Sequence, residues 1–390
     1  DLAQNFVKKL PFKLTDAQRK VTWQIYKELE KNRPMNRLVE GDVGSGKTIV
    51  AAMAAMMAVA EGYQVALMAP TELLARQHAE SLHELMKPVG LQDSIALLVG
   101  SLAPAAKKQA HRKIASGEAK FIIGTHAVIS EKVDMQGLGL IIVDEQHRFG
   151  VAQRAKLQKK AGHMPHLLSM TATPIPRTLA LTVYGELDIS LLDDMPPGRK
   201  PVITKIVSPN SKQRLHEKID KELEAGKQMF VVCPLITESD ALKALSAEEV
   251  YKDFTEHAFK HRKVGLLHGK MKSDDKEKIM NSFASGKLDV LVATTVIEVG
   301  VNVPNASIML VEGAERFGLA QIHQLRGRVG RSSDQGYCYL IMSDNSAPTR
   351  RLRAIEQSTD GFRLAELDLE IRGPGAIYGH MQHGQLDLRI

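Results

Sequence analysis

Residues 41–48 read GDVGSGKT, which matches G-x-x-x-x-G-K-T, and they stand between an apolar run and an alanine-rich helical pattern, the context this motif requires. Gly41, Gly44 and Gly46 let backbone N–H groups turn inward around phosphates. Lys47 then reaches the β and γ oxygens, and the Thr48 hydroxyl ligates magnesium. A chance glycine turn would lack the lysine, the threonine and the flanking strand and helix. The run LGLIIVDEQH closes on two acids, with Asp144 at the carboxyl edge of a strand, placed to hold magnesium through water, and Glu145 directed at the γ-phosphate to orient an attacking water. Taken alone, such an acid pair often only caps the next helix; beside a phosphate loop it reads as part of a hydrolytic site.

A third group lies far along the chain. QLRGRVGR puts Arg328 and Arg331 at i and i+3 of an expected helix, with Gln324 one turn earlier. Guanidinium groups in that arrangement neutralise charge on a transferring phosphoryl group. The competing reading is a solvated basic face, but two glycines packed among the arginines favour close approach to another group. The N-K-x-D signature of guanine-nucleotide hydrolases is absent.

These groups need elements to hold them. From Arg37 onward, short apolar runs alternate with helical patterns: RLVEG, a helix to Glu61, YQVALMAP, a helix over 71–86, SIALLVG, FIIGTH, LGLIIVDE and HLLSMTAT. Runs rich in β-branched residues and leucine, without polar alternation, are strands buried on both faces, so a parallel sheet covered by helices is expected. LLDDMPPGRKPV breaks the pattern, and a domain boundary is placed near Pro196. The alternation restarts with VITKIVS, QMFVVCP, VGLLHG, LDVLVATT, SIMLVEG and YCYLIMS, interleaved with helices over 212–225 and 274–285. After about Ser343 the strands stop, and a stretch with Arg350, Arg351 and Arg353 leads into a glycine-punctuated end. The expected domains are 1–195, 196–343 and a terminal segment, 344–390.

With 390 residues the chain exceeds what one core supports, which agrees with two α/β domains. A net charge of +7 permits a polyanionic partner without requiring one. The longest apolar stretch, 49–60, is too short to span a bilayer, and no secretion signal is seen, so no membrane association is expected. Cys233 and Cys338 are far apart and form no C-x-x-C pair, which fits a reducing cytosol. His257 and His261 lie at i and i+4, but Ala258 replaces the glutamate of H-E-x-x-H, and His380 and His383 likewise lack a metal-ligand pattern. Met53, Met56 and Met57 have the spacing of core residues on a helix. With one Trp, seven Tyr and ten Phe in 390 residues, an aromatic single-strand channel would be thinly supplied, so duplex tracking is the better expectation.

Together, GDVGSGKT, DEQH, TATPIPRT and QLRGRVGR resemble the motif set of superfamily-two helicases and translocases. The longer segments DEQHRFGVAQR, TATPIPRTLA, PPGRKPV, ATTVIEVGVNVPNA and ERFGLAQIHQLRGRVGR resemble the RecG family of branch-migration enzymes over nearly the whole chain. The resemblance implies two tandem RecA-like domains that close on ATP and magnesium, plus a C-terminal helical and loop motif. It implies that Lys47, Thr48, Asp144 and Glu145 serve the nucleotide, that Arg328 and Arg331 complete the site, and that Gln18 reads adenine with Phe12 against the base. It gives Gln146, His147, Thr171 and Thr173 a coupling role, and phosphate contacts along DNA to Thr71, Arg76, Thr125 and Thr295. GFRLAELDLEIRGPGAIYGHMQHG resembles the motif that RecG shares with the transcription-repair coupling translocase, in which Arg372 and Gln382 link closure to strokes on duplex DNA. Asn302 stands where the family commonly has aspartate, and AIYGHM departs from its usual residues.

The resemblance further implies work on forks and four-way junctions in the bacterial cytoplasm, on the nucleoid, by a monomer in contact with single-strand-binding protein. A wedge domain that splits branches belongs upstream, so a motor fragment is expected. The competing functions are a transcription-repair coupling translocase, an RNA helicase, and an ATP-gated clamp that binds DNA without moving. Intact Glu145, Arg328 and Arg331 favour hydrolysis over a clamp.

Overall fold

The computed structural model describes residues 2–42, 44–125, 128, 133–145, 163–173, 188–194, 198–234, 240–294 and 303–372. The chain divides into two compact units that part between Pro196 and Pro197. Among the described residues no helix is long and apolar enough to cross a membrane.

In chain order the first unit contains α1 (Leu2–Lys8), α2 (Asp16–Leu29), β1 (Asn36–Gly41), α3 (Lys47–Ala60), β2 (Gln64–Met68), α4 (Glu72–Met86) and β3 (Ile95–Leu98). There follow α5 (Pro104–Ala115), β4 (Phe121–Gly124), β5 (Leu138–Asp144), β6 (His166–Thr171) and β7 (Asp188–Leu192). The strands form one sheet in the order β3-β4-β2-β5-β6-β1-β7, every pairing parallel. Inner strands such as β2 and β4 are buried at every position, whereas the edge strands β3 and β7 alternate. That is the difference between a strand covered on both faces and one at a margin. The same parity separates the core into two layers. Leu140 and Ile142 pack with residues of α2, α3 and α4. Ile141 and Val143 pack with Ala110 and Ile114 of α5.

The second unit contains β8 (Ile203–Val207), α6 (Lys212–Glu224), β9 (Gln228–Val232), α7 (Asp240–Asp253), β10 (Val264–Leu267) and α8 (Ser273–Ala284). It continues through β11 (Val290–Ala293), β12 (Ala306–Glu312), α9 (Leu319–Arg326), β13 (Tyr337–Ile341), α10 (Arg350–Gln357) and α11 (Gly361–Arg372). Its sheet runs β10-β11-β9-β12-β13-β8, again all parallel. Both units are therefore helix-flanked parallel sheets, as the alternation of apolar runs implied.

Each sheet is stapled at its amino edge by a buried glutamine in the first position of its second strand. Gln64 Nε2 donates to the carbonyls of Ile114 and Ala119 at 3.0 and 2.8 Å, tying β2 to the end of α5 and the start of β4. Gln228 Nε2 donates to the carbonyls of Phe283 and Leu288, both at 2.7 Å, tying β9 to the end of α8 and the start of β11. Carbonyls at a helix C-terminus have no partner within the helix, and a buried amide satisfies them.

The sequence pattern missed β7, a short edge strand whose alternation runs into the Asp193–Pro197 break. Its placement matters, because Arg37 of β1 donates to both Glu28 oxygens of α2, at 3.0 and 2.5 Å, and to Ser190 Oγ of β7 at 2.7 Å. A forked, charge-assisted bond of this kind fixes orientation as well as distance. It holds α2, and with it Gln18, against the strand that leads into the phosphate loop. The arginine-rich stretch after β13 is the helix α10, whose Leu352 and Ile355 are buried.

Candidate active site

The phosphate loop joins the end of β1 to the start of α3, and Lys47 is the first helical residue. Its ammonium donates to the carbonyls of Gly41 at 2.6 Å and Asp42 at 3.0 Å, drawing the loop into a ring around itself. Gly46 has φ +84°, and a Cβ there would stand 2.0 Å from Gln18 Nε2. Glycine is therefore required at this position for conformation and for space. A Cβ on Gly41 would meet Ser45 Oγ at 2.5 Å and Leu192 Cβ at 2.8 Å. Gly44 also takes positive φ, at 83°. Buried Ser45 Oγ has no hydrogen-bond partner among the described residues. The first turn of α3 carries no acid to compete for the positive end of its dipole.

Gln18 is 4% exposed and belongs to a capping box at the start of α2. Its Oε1 accepts from Thr15 N at 3.0 Å and its Nε2 donates to Ser45 O at 3.0 Å. One N–H and one lone pair of the amide remain beyond these two bonds, the pair that the N7 and amino edge of adenine matches. Phe12 is 48% exposed and lines a cavity of about 620 Å³ with Lys13, Arg19, Thr22 and Trp23.

β6 lies between β1 and β5, so the ends of β1 and β5 stand two strand spacings apart, about 10 Å. Asp144 closes β5, paired in register with Met170. Glu145 follows with φ 55°, the one non-glycine residue with positive φ among those described. Its carboxylate accepts from Thr171 Oγ1 at 3.2 Å and from Ala172 N at 3.3 Å. Thr173 N donates to Thr171 Oγ1 at 3.1 Å. The structure thus brings Thr171 and Thr173 to the acid pair on the same sheet edge as Lys47 and Thr48. A strained conformation held by several bonds is a common signature of a functional residue.

The other half of this carboxyl edge, after β2, β3 and β4, holds the remaining group. Thr71 caps α4, its Oγ1 accepting from Leu74 N at 3.3 Å. Arg76 donates to Ser101 Oγ at 2.9 Å, and Ser101 Oγ donates to Glu72 at 2.5 Å. Thr125 follows β4 and is partly buried. Sequence reasoning missed His78 on the same helix, whose Nε2 lies 2.8 Å from Asp144 Oδ2. No spacing in the sequence points to that contact, which spans 66 residues.

In the second unit α9 ends at Arg326 and is capped by Gly327, so Arg328 and Arg331 lie in the turn beyond it rather than on a helical face. Gly330, at φ +67°, carries that turn. Arg199 Nε donates to Gly330 O at 3.3 Å, and its Nη2 to Gly327 O at 3.4 Å. Burial, then the charges of Arg328 and Arg199, push the Arg331 guanidinium down to about 9. Three like charges converge there, an arrangement that favours an anion. Arg326, unremarked in the sequence, is 4% exposed and donates to the carbonyls of Ile355 and Ser358 at 2.7 Å each and to His323 Nδ1 at 2.7 Å. Gln324 lies on α9 and is partly buried. Arg372 closes α11, its side chain outside the described set. Gln146, His147, Thr295, Asn302 and Gln382 also lie outside the described residues.

Two parallel sheets, one with a phosphate loop and acid pair and the other with an arginine turn, define the class of two-domain helicase motors. The DEAD/DEAH box helicase family matches residues 15–182, and the helicase conserved C-terminal domain family matches residues 211–333. The ATP-dependent DNA helicase RecG of Synechocystis sp. is 49% identical over 391 residues, covering 100% of this chain and 47% of that protein. RecG of Aquifex aeolicus is 49% identical over 390 residues, covering 98% of this chain and 49% of that protein. The structure of RecG bound to a three-way DNA junction superposes with a TM-score of 0.84 at 43% identity, covering 96% of this chain and 49% of that one. The chain belongs to the RecG family of ATP-dependent DNA helicases. It spans about half the length of the curated relatives it matches.

Proposed function

We propose that this chain is the ATP-driven motor of a double-stranded DNA translocase that remodels branched DNA, including stalled forks and four-way junctions. The observation that carries this reading is the carboxyl edge of the first sheet. It sets the Lys47 ring, the Glu145 carboxylate held by Thr171 and Ala172, and the start of α4 side by side.

In this reading Lys47 and the backbone N–H groups from Gly44 to Thr48 bind the β and γ phosphates. Gln18 and Phe12 hold the adenine. The oxygens of Thr48 and Asp144 suit magnesium, a hard cation with oxygen ligands, and the bound ion supplies charge neutralisation at the phosphates. Glu145 orients the attacking water, and its bonds to Thr171 and Ala172 make that orientation sensitive to movement of the segment after β6. Arg328 and Arg331 meet phosphoryl charge, which offsets their mutual repulsion. Thr71, Arg76 and Thr125 contact DNA phosphates, a sequence-independent mode that suits a translocase. Arg372, Gln382, Gln146 and His147 serve coupling. In the same reading the protein works as a monomer in the bacterial cytoplasm, at the nucleoid and in contact with single-strand-binding protein.

The test is steady-state ATP hydrolysis without nucleic acid and with duplex DNA, branched DNA or double-stranded RNA, at two salt concentrations. Stimulation by DNA but not RNA is expected, weakening as salt rises. Equal stimulation by RNA overturns the assignment of the track, and no stimulation by any of them overturns the motor reading.

A further inference from the structure

Helix α4 leaves β2, the strand at which the two halves of the first sheet's carboxyl edge meet. Its first turn is committed to one half. Thr71 caps it, and Glu72 and Arg76 both bind Ser101, just after β3. Two turns from the cap it reaches the other half, where His78 Nε2 lies 2.8 Å from Asp144 Oδ2 with side chains only 12% and 14% exposed. Thr71 and His78 are seven positions apart and so share a helical face, with Ala75, fully buried, between them. An ionised carboxylate only accepts hydrogen bonds, so the imidazole presents Nε2–H to Asp144. That bond fixes the rotation of the carboxylate and the direction in which its second oxygen faces.

We propose that His78 is a positioning residue that transmits DNA contact at the start of α4 to the magnesium-holding carboxylate of Asp144. The inference rests on the proposed function, in which Thr71 and Arg76 meet DNA phosphates and Asp144 holds magnesium. A helix segment of seven residues is a stiff strut about 10 Å long, so a small displacement imposed at Thr71 arrives at His78 undiminished. Reactive geometry is sensitive to shifts of that size. Coupling then travels within the first unit, from the first turn of α4 through one side chain to one carboxylate.

The full chain, His78→Ala and His78→Gln are compared in three measurements. These are affinity for a fluorescent ATP analogue with and without magnesium, affinity for duplex DNA, and ATP hydrolysis with and without that duplex. In His78→Ala, the gain in nucleotide affinity from magnesium falls about tenfold, the range for loss of a residue that orients a metal ligand. DNA affinity and magnesium-free nucleotide affinity stay as in the parent. The ratio of DNA-stimulated to basal kcat falls towards one, and KM for magnesium-bound ATP rises in step with the lost affinity. His78→Gln, which keeps an N–H donor, restores part of both effects. An unchanged magnesium effect and stimulation ratio in His78→Ala overturns the proposal, as does loss of DNA and magnesium-free nucleotide binding in both variants, which is the mark of a merely structural residue. Absence of stimulation in the unsubstituted chain overturns the proposed function itself, and is seen before any substitution is made.

Discussion

Set side by side, the two sheets run β3-β4-β2-β5-β6-β1 and β10-β11-β9-β12-β13-β8, so that β8 stands where β1 stands and β12 where β5 stands. The parallel extends to single residues. Lys47 and Lys212 are each the first residue of the helix after the first strand, and Asp144 and Glu312 each close the strand that corresponds. In the first unit Lys47 turns back on its own loop. In the second, Lys212 Nζ is 2.7 Å from Glu312 Oε1, and the connection is Ser208, Pro209, Asn210 and Ser211, with no glycine and with a proline that lacks an N–H. One topology offers the same edge twice. Loop composition decides whether that edge is open to an anion or closed by its own ion pair.

The strongest way to break the comparison is to remove both lysines in turn. Lys47→Ala should lower ATP turnover roughly 100- to 1,000-fold, the range for losing a donor to developing charge. Lys212→Ala should leave turnover unchanged and cost about 1–2 kcal/mol in urea unfolding, because it strands the largely buried Glu312. Comparable turnover losses in the two variants would mean that the edges are not functionally distinct.

A smaller effect separates the arginines of the second unit. Arg326→Met should cost about 2–4 kcal/mol of stability, since it orphans buried carbonyls of Ile355 and Ser358. Arg331→Met relieves repulsion from Arg328 and Arg199 and should cost less, while lowering turnover. Urea unfolding followed by circular dichroism, beside a turnover assay, distinguishes the two roles.

The smallest effect is in pH. Burial, with Lys212 adding to it, pushes His216 down to about 4 from its usual 6.5. The imidazole packs edge-on to Phe254 and against Phe259. The folded value is the lower one, so the unfolded chain takes the proton first. The contribution is fully present above pH 6.5 and is lost as pH falls towards about 4, by at most about 1.4 kcal/mol per pH unit. His216→Phe should flatten that slope relative to the parent, and Lys212→Ala should narrow its window. Denaturant midpoints between pH 4 and 7 check both.

The inner strands were legible because burial on both faces demands unbroken apolar runs, and the phosphate loop because its glycines meet a local requirement. β7 was not, since an edge strand needs only a few alternating residues. The helix expected to carry Arg328 and Arg331 stops at Arg326 because Gly327 and Gly330 release the chain there, and spacing arguments do not see a turn. His78, Arg326 and the two glutamine staples were silent for a different reason. Each acts on partners brought near only by strand order, and a sequence pattern carries no record of that order.

Trp23 is the single tryptophan of the chain, 61% exposed, and it lines the same cavity as Phe12 with Lys27 Nζ 4.7 Å from its ring centroid. Indole emission therefore has one source, located in the first unit beside the residues assigned to the adenine. Excitation at the red edge of protein absorbance reads that locality alone, without a label and without interference from the rest of the chain. Occupancy of the base pocket, quenching by a displaced lysine, and local melting of α2 become separable optical signals from a protein carrying no added dye.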